Sequence, residues 1–489
     1  MNQGKCPLAL LDRQFHSRSD RSPSSFYPTE NEIMLRYLIL LIIPVFMAAP
    51  VAVHAEKPEQ STDTKNTQYE EWPQWRGPRG DGTWNGPPIK TVWPKTGLKK
   101  LWEREIGGGY GGISVSHKRL YLMDRPAASN EEQKKAEGIH GHRIERKNVE
   151  QVLCFDALTG QPLWSHAYPS DYDQLEYGNG PRVAPTVIDG FVYTLGTMGD
   201  VYCFAADTGK VIWNTHLVKD FGGKVPQWGY AAAPYVIGEL VILMPGGEEQ
   251  GTAILALDRK TGKERWRSLS DQAGYATPLL IQHAGHAQLI VWSPNHIHSV
   301  APRSGQHFWS VPYKVTYGVA IASPIEKEGL VFVAGYWEGS KAIQLGERPQ
   351  DAKLKWEDRR VLRGLMSQPL YRDGYAYLLD KQFGLTCFEY ATGKKIWDDG
   401  GKMTPGNSRN PQATLVWLNQ SARALILNSD GDLILAELTP AGYQELARTN
   451  LIGETWAHPA YAETRVYARS NTKLVAYELP TDESVDESR

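Results

Sequence analysis

The chain has 489 residues, of which 41% are hydrophobic, 22% charged and 10% aromatic, with 46 Gly and 31 Pro. These fractions exclude a disordered, collagen-like or polytopic membrane chain, and the formal net charge of −2 supplies no basic field for nucleic acid. The 4 Cys are too few for a disulfide framework, whereas 16 Trp and 24 Tyr need a repeated structural or ligand-facing use.

Leu38 to Val53 is almost wholly apolar, preceded by Arg36 and followed by His54-Ala55. A short basic region, an apolar core and a small-residue step have the order of a secretory signal. Pro44 and Pro50 interrupt the run, which is short for a bilayer span. Residues 34–55 are therefore read as the signal, Met34 as the natural start, and 1–33 as a polar extension completing the segment 1–55. Cleavage after Ala55 leaves a mature chain with no integral membrane span, exported to the periplasm or the extracellular space. Residues 56–71 then read as a polar leader, 72–97 as a Trp/Pro-rich lead-in, and 480–489 as a polar tail.

A repeat fills residues 98–479. One signal is a strand, a turn and a Trp: VLCFDALTGQPLW ends at Trp164, VYCFAADTGKVIW at Trp213 and ILALDRKTGKERW at Trp266. SVAPRSGQHFW at Trp309 and TCFEYATGKKIW at Trp397 continue it, while Trp102 and Trp356 keep only the Trp end. The second signal is a small-residue/Pro step opening a strand, at Pro185, Pro234, Pro278, Pro324, Pro369 and Pro459, with Ala413 in the missing place. These positions recur every 44 to 49 residues and give eight copies with a worn first one near Ile113. In each turn Gly supplies positive φ, and the Asp and Thr oxygens cap backbone N–H groups. Alternating stretches such as 192–195 and 375–379 have strand period, and Asp-Gly at 189–190 and 373–374 marks hairpins. Four short strands in about 45 residues match a propeller blade. Helical period is confined to Asn130 to Gly138, within an insertion at 127–148. An outer strand at 99–105 and an inner one at 473–479 would complete the eighth blade and remove the open edge. The expected fold is all-β: one eight-bladed propeller closed by strands from the two chain ends.

The pattern Ala-x-Asp-x-x-Thr-Gly-Lys-x-x-Trp, best kept at Phe204–Trp213 and Leu255–Trp266, resembles the repeat of the pyrroloquinoline-quinone (PQQ) propellers across residues 72–479. The resemblance implies that Trp102, Trp164, Trp213, Trp266, Trp309, Trp356 and Trp397 pack between adjacent sheets. Within that superfamily, quinoprotein dehydrogenases bind PQQ and Ca2+ on the propeller axis and oxidise alcohols or aldehydes. Non-catalytic members such as the outer-membrane-assembly propeller BamB bind proteins. The WPQWRGPRG start is similar to secreted PQQ-like repeat proteins, whose common name describes a fold. Cys154, Cys203 and Cys387 each stand ten residues before a repeat Trp, so no vicinal disulfide of the dehydrogenase kind exists. They read as small buried residues of one strand register, and there is no Cys-x-x-Cys-His for haem.

Two further groups attract notice. His283, His286, His296 and His298 fall within 16 residues, but no acid or Cys has ligand spacing nearby, so they are read as exposed hairpin histidines and no metal is expected. Asn428-Ser429-Asp430-Gly431-Asp432 lacks the rest of a calcium loop and reads as a turn. The residues just before each Pro step should ring one mouth of the channel: Tyr110, Arg182, Trp228, Tyr230, Tyr275, Tyr317, Arg363, Arg409, Asn410 and Trp456. Aromatics and Arg together suit a planar or anionic ligand, or a protein loop. Glu454 is the one acid found in that register, and a single acid cannot serve as both metal ligand and base. The leading expectation is thus an exported binding scaffold, monomeric, without catalytic residues or cofactor. Its partner is an unnamed protein or small molecule. The alternative is a PQQ- and Ca2+-dependent dehydrogenase acting on alcohols or sugars at the same mouth.

Overall fold

The repeat folds as its turns dictate. In the second copy, Thr186–Ile188, Phe191–Leu195, Asp200–Ala205 and Val211–His216 form an antiparallel four-stranded sheet in chain order. Asp189 (φ 49°) and Gly190 (φ 76°) both take the left-handed conformation of a tight hairpin turn, as do Asp373 (48°) and Gly374 (84°). Val192 to Leu195 are all buried, because a neighbouring sheet covers each face of the second strand.

The computed structural model describes residues 69–128, 148–172, 175, 180–247, 251–364, 366–404, 410 and 412–482. They belong to the unit Pro58–Arg489. The expected signal and extension (1–55), most of the polar leader, the helix-like stretch from Asn130 to Gly138, Arg409 and most of the polar tail lie outside the described residues. Among those described, the strands form eight sheets. Blades 1 to 8 begin with the inner strands Ser114–Ser116, Thr186–Ile188, Tyr235–Ile237, Leu279–His283, Ile325–Lys327, Leu370–Arg372, Ala413–Leu418 and Ala460–Ala462. Inner strands of blades 8 and 1, 1 and 2, 2 and 3, 5 and 6, and 6 and 7 touch, and shared buried clusters join blades 3 and 4, 4 and 5, and 7 and 8, so the sheets form a closed ring. No described helix is long and apolar enough to cross a membrane.

Closure uses both chain ends. Lys100–Glu105 pairs antiparallel with Lys473–Glu478 as the outermost strand of blade 8. The C-terminal strand is third in that blade rather than innermost, because the step at Pro459 opens its own inner strand, Ala460–Ala462. Arg469, 1% exposed, crosses this seam and donates to the carbonyls of Met123 (2.6 Å) and Gly107 (2.8 Å).

The repeat Trp residues weld neighbouring blades, the closing pair included. Trp213 lies over Gly262 of the next blade's turn and donates from Nε1 to the Arg259 carbonyl at 2.9 Å. Trp102, Trp164 and Trp356 do the same over Gly160, Gly209 and Gly393, and Trp266 lies over Gly305. A Cβ at Gly262 would stand 2.8 Å from the Trp213 ring, so the turn Gly serves both φ and contact. The turn itself is fixed by Asp258 Oδ1, which accepts from Lys260 N, Thr261 N and Thr261 Oγ1. Trp397 donates to the Thr439 carbonyl, whereas Trp309 turns to Gln288 of its own blade. A short helix at Leu217–Phe221, capped by His216 and Gly222, has no counterpart among the sequence expectations.

The lead-in does more than pack on the ring. Glu71 receives His117 N and Lys118 N of the first hairpin, Trp72 pairs with Val115, and Thr83–Trp84 runs parallel to Trp417–Leu418 of blade 7. Between these anchors Trp75 bonds Ser323 of blade 5, and Arg76 donates to the Pro369 carbonyl of blade 6. The segment therefore spans the channel from blade 1 to blade 7.

Candidate functional site at the channel mouth

Antiparallel connectivity assigns each loop to one end of the ring. The Trp-bearing turns between third and fourth strands, and the hairpins between first and second, fall at the end the lead-in occupies. The segments before the Pro steps and the loops between second and third strands fall at the other, the mouth. There the expected rim residues come together in contact. The Trp456 and Tyr110 rings are 5.9 Å apart, and the Arg182 guanidinium lies 5.6 Å above Tyr110. Trp228 meets Tyr275 at 6.0 Å and Tyr317 at 6.4 Å, and its backbone N–H donates to the Tyr275 hydroxyl at 3.2 Å. Burial pushes the Tyr275 phenol up to about 12 and lowers the Arg182 guanidinium below its ordinary value.

Three positions need comment. Tyr230 is core rather than rim: it is 2% exposed and donates to the Pro245 carbonyl at 2.7 Å, because its loop folds back onto blade 3. Tyr317 is the opposite case, 62% exposed with φ 55° in a region costly for an aromatic residue. Arg363 reaches the Gln382 side chain at 2.5 Å.

The loop Gly335-Tyr336-Trp337-Glu338-Gly339 also belongs to the rim, although the Pro-step register does not mark it. Trp337 is 42% exposed and stands 5.4 Å from Tyr317 and 4.3 Å from Tyr336. Lys381 lies 4.2 Å over Tyr336, whose hydroxyl donates to Asn410 at 3.0 Å. An aromatic pair bracketed by glycines between two strands was the available signal.

Three acids near the mouth are engaged by neighbouring donors. Glu150, in the third strand of blade 1, is fully buried and accepts from Tyr168 (2.6 Å), Tyr172, and the Thr197 amide and hydroxyl. Glu338 Oε1 caps Thr316 N at 2.9 Å. Asp380 accepts three backbone amides, from Arg363, Gln382 and Phe383. Glu454 shares a recess with Tyr110, Trp456 and Asn471. Calcium needs six to eight oxygens, and among the described residues the mouth gathers no cluster of three acid ligands. The described rim thus offers aromatic rings and cations rather than a gathered set of carboxylates. Cys154, Cys203 and Cys387 are buried in separate blades with free thiols that burial pushes up to about 12. They are core residues, as their register implied.

The histidine group divides. His283 and His286 flank the first hairpin of blade 4, His286 exposed as expected. His298 is buried, and Asp271, from the loop joining blade 3 to blade 4, comes within 3.1 Å of His296 Nδ1. The acid that spacing did not provide is supplied by the fold, 25 residues upstream. Asn428 caps Asp430 N and Asp432 N, the turn expected of that segment.

Eight four-stranded blades, one extended by the lead-in strand, Trp-on-Gly joints and a blade closed by both chain ends define a PQQ-like repeat β-propeller. Residues 148–399 and 293–489 match the family model described as outer membrane protein assembly factor BamB, and the chain belongs to that family. Among solved structures, it is similar to BamB from Moraxella catarrhalis (TM-score 0.53, 14% identity, covering 78% of this chain and 99% of that one). It is also similar to the quinohemoprotein alcohol dehydrogenase of Comamonas testosteroni (TM-score 0.57, 13% identity, 86% and 82% covered). At these identities the likeness is one of fold. The serine/threonine-protein kinase AfsK of Streptomyces griseus is 30% identical over 178 residues, 36% of this chain. The match spans only 20% of that kinase's length.

Proposed function

We propose that this propeller is an exported, non-catalytic binding scaffold whose mouth receives a planar or anionic ligand or a loop of a protein partner. The observation that carries the reading is the rim itself: Tyr317 and Trp337 stand exposed in contact, with Lys381 beside Trp337 and Arg182 over Tyr110 across the mouth. Aromatic faces with cations bind flat or negatively charged groups, and such residues are those that dominate protein interfaces. Glu150, Glu338 Oε1 and Asp380 are held by neighbouring donors, which leaves Glu454, in the recess beside Trp456, as the acid open to act as a base. Family membership with an assembly factor supports protein recognition, and export rests on the signal read at 34–55.

The test is reconstitution of the purified protein with PQQ and Ca2+, followed by dye-linked oxidation of alcohols and sugars. No dye reduction above the protein-free control is expected. Turnover that disappears in Glu454→Gln would establish the dehydrogenase instead.

A further inference from the structure

Blade 4 carries at its mouth end a polar cluster that the binding rim does not use. His296 opens the strand His296–Val300, and two residues on His298 projects from the same face. The loop between blades 3 and 4 delivers Asp271, 1% exposed, against both. Asp271 Oδ2 lies 3.1 Å from His296 Nδ1 and 3.7 Å from His298 Nε2, and the three ligand atoms lie within 4.8 Å of one another. In tetrahedral Zn2+ sites, with metal–ligand bonds near 2.0–2.2 Å, neighbouring ligand atoms stand roughly 3.3 Å apart. Two of the three edges already approach that spacing.

We propose that Asp271, His296 and His298 form a binding site for a first-row divalent cation of the Zn2+ class. The surrounding groups are arranged as metal sites require. Asp271 Oδ1 is held by Asn295 Nδ2 and Gln272 N, each at 2.7 Å, which leaves Oδ2 for the ion. His298 Nδ1 is bonded to Ser310 Oγ at 2.7 Å, which orients the ring with Nε2 toward Asp271. His307 steadies that same hydroxyl. Such second partners fix tautomer and ring orientation in histidine sites. Ser293 Oγ now bridges Asp271 Oδ2 (2.6 Å) and His298 Nε2 (3.1 Å). The ion replaces these two bonds and the direct one between His296 Nδ1 and Asp271 Oδ2, and Ser293 keeps its bond to the His296 carbonyl at 3.0 Å. The His296 side chain is 39% exposed, so the remaining coordination position faces water. Two imidazoles and one carboxylate suit Zn2+ rather than the all-oxygen cations.

The test strips the whole purified protein with chelator and titrates it with Zn2+ alone, by calorimetry and by thermal melting. Wild type takes up one equivalent and melts higher, and Co2+ produces the visible absorption of a tetrahedral site. His296→Gln, changed at the partly exposed ligand so that folding is spared, weakens Zn2+ by about tenfold or more and abolishes the Co2+ bands. His283→Gln/His286→Gln, at the opposite end of the blade, binds as wild type. Failure of wild type to take up Zn2+, equal affinity in His296→Gln, or loss in the His283/His286 pair overturns the site.

Discussion

The two ends of the ring are built on opposite plans. At the end bearing the lead-in, one device recurs: Asp caps the turn, Gly turns it, and the preceding blade's Trp closes over it, as at Asp258, Gly262 and Trp213. At the mouth the described loops differ from one another. One gives a buried Tyr230, another an exposed and strained Tyr317, a third the aromatic pair Tyr336-Trp337. Repetition marks the surface that holds the ring together, and its absence marks the surface free to acquire a ligand.

Substitutions sharpen that contrast, the largest effect first. Trp213→Ala removes a buried indole and its bond to Arg259, and should cost about 3–5 kcal/mol. Trp337→Ala at the mouth should stay within about 0.5 kcal/mol, the usual range for a surface position. Denaturant melts of both variants check the pair, and equal losses would erase the distinction. Arg469→Met leaves the Met123 and Gly107 carbonyls buried without their donor at the closing seam, and should cost about 1–3 kcal/mol in the same melts. Gly262→Ala, forced to φ near 69° with its Cβ against Trp213, should lose about 1–2 kcal/mol or more, whereas Gly374→Ala meets no neighbour and loses only the backbone term.

A pH-dependent effect belongs to the channel. Burial, with Arg76 adding repulsion, pushes the His458 imidazole down to about 3, and its ring lies 4.1 Å from Trp75 of the lead-in. The unfolded chain takes up this proton near the ordinary value, about 6.5. Stability from neutral His458 is therefore complete above that pH and is lost as pH falls from about 6.5 toward 3. His458→Gln should flatten the melting-temperature profile across that window, and an unchanged slope would place the acid sensitivity elsewhere.

The same contrast explains what could be read from the chain. The turn residues act on their own neighbours, so Asp-x-x-Thr-Gly at 258–262 and Asp-Gly at 189–190 announce their geometry locally. Blade closure was legible because a lone outer strand at one end and a lone strand at the other have only each other to pair with. The position of Lys473–Glu478 as third strand was not, since Ala460–Ala462 is only three residues long and offers little alternation. The Pro-step register marks Tyr110, Arg182, Trp228, Tyr275, Tyr317 and Trp456, whose rings and guanidinium meet in neighbouring pairs. Tyr230 failed because the register gives position along the chain, not which way a loop folds. Trp337 and Lys381 lay in loops the repeat does not mark, and Asp271 reached His298 through tertiary folding that no spacing rule encodes.

The most direct measurement places a photo-crosslinking amino acid, one site at a time, at Tyr317 and Trp337 on the mouth and at Leu163 and Ile212, equally exposed apolar positions on outer strands. Crosslinking is then carried out in the cells that produce the protein. The account predicts a discrete adduct from the two mouth positions, with none from the outer-strand pair. Adducts from Leu163 and Ile212 with silence at the mouth would contradict it, and would move recognition to the face assigned to structure.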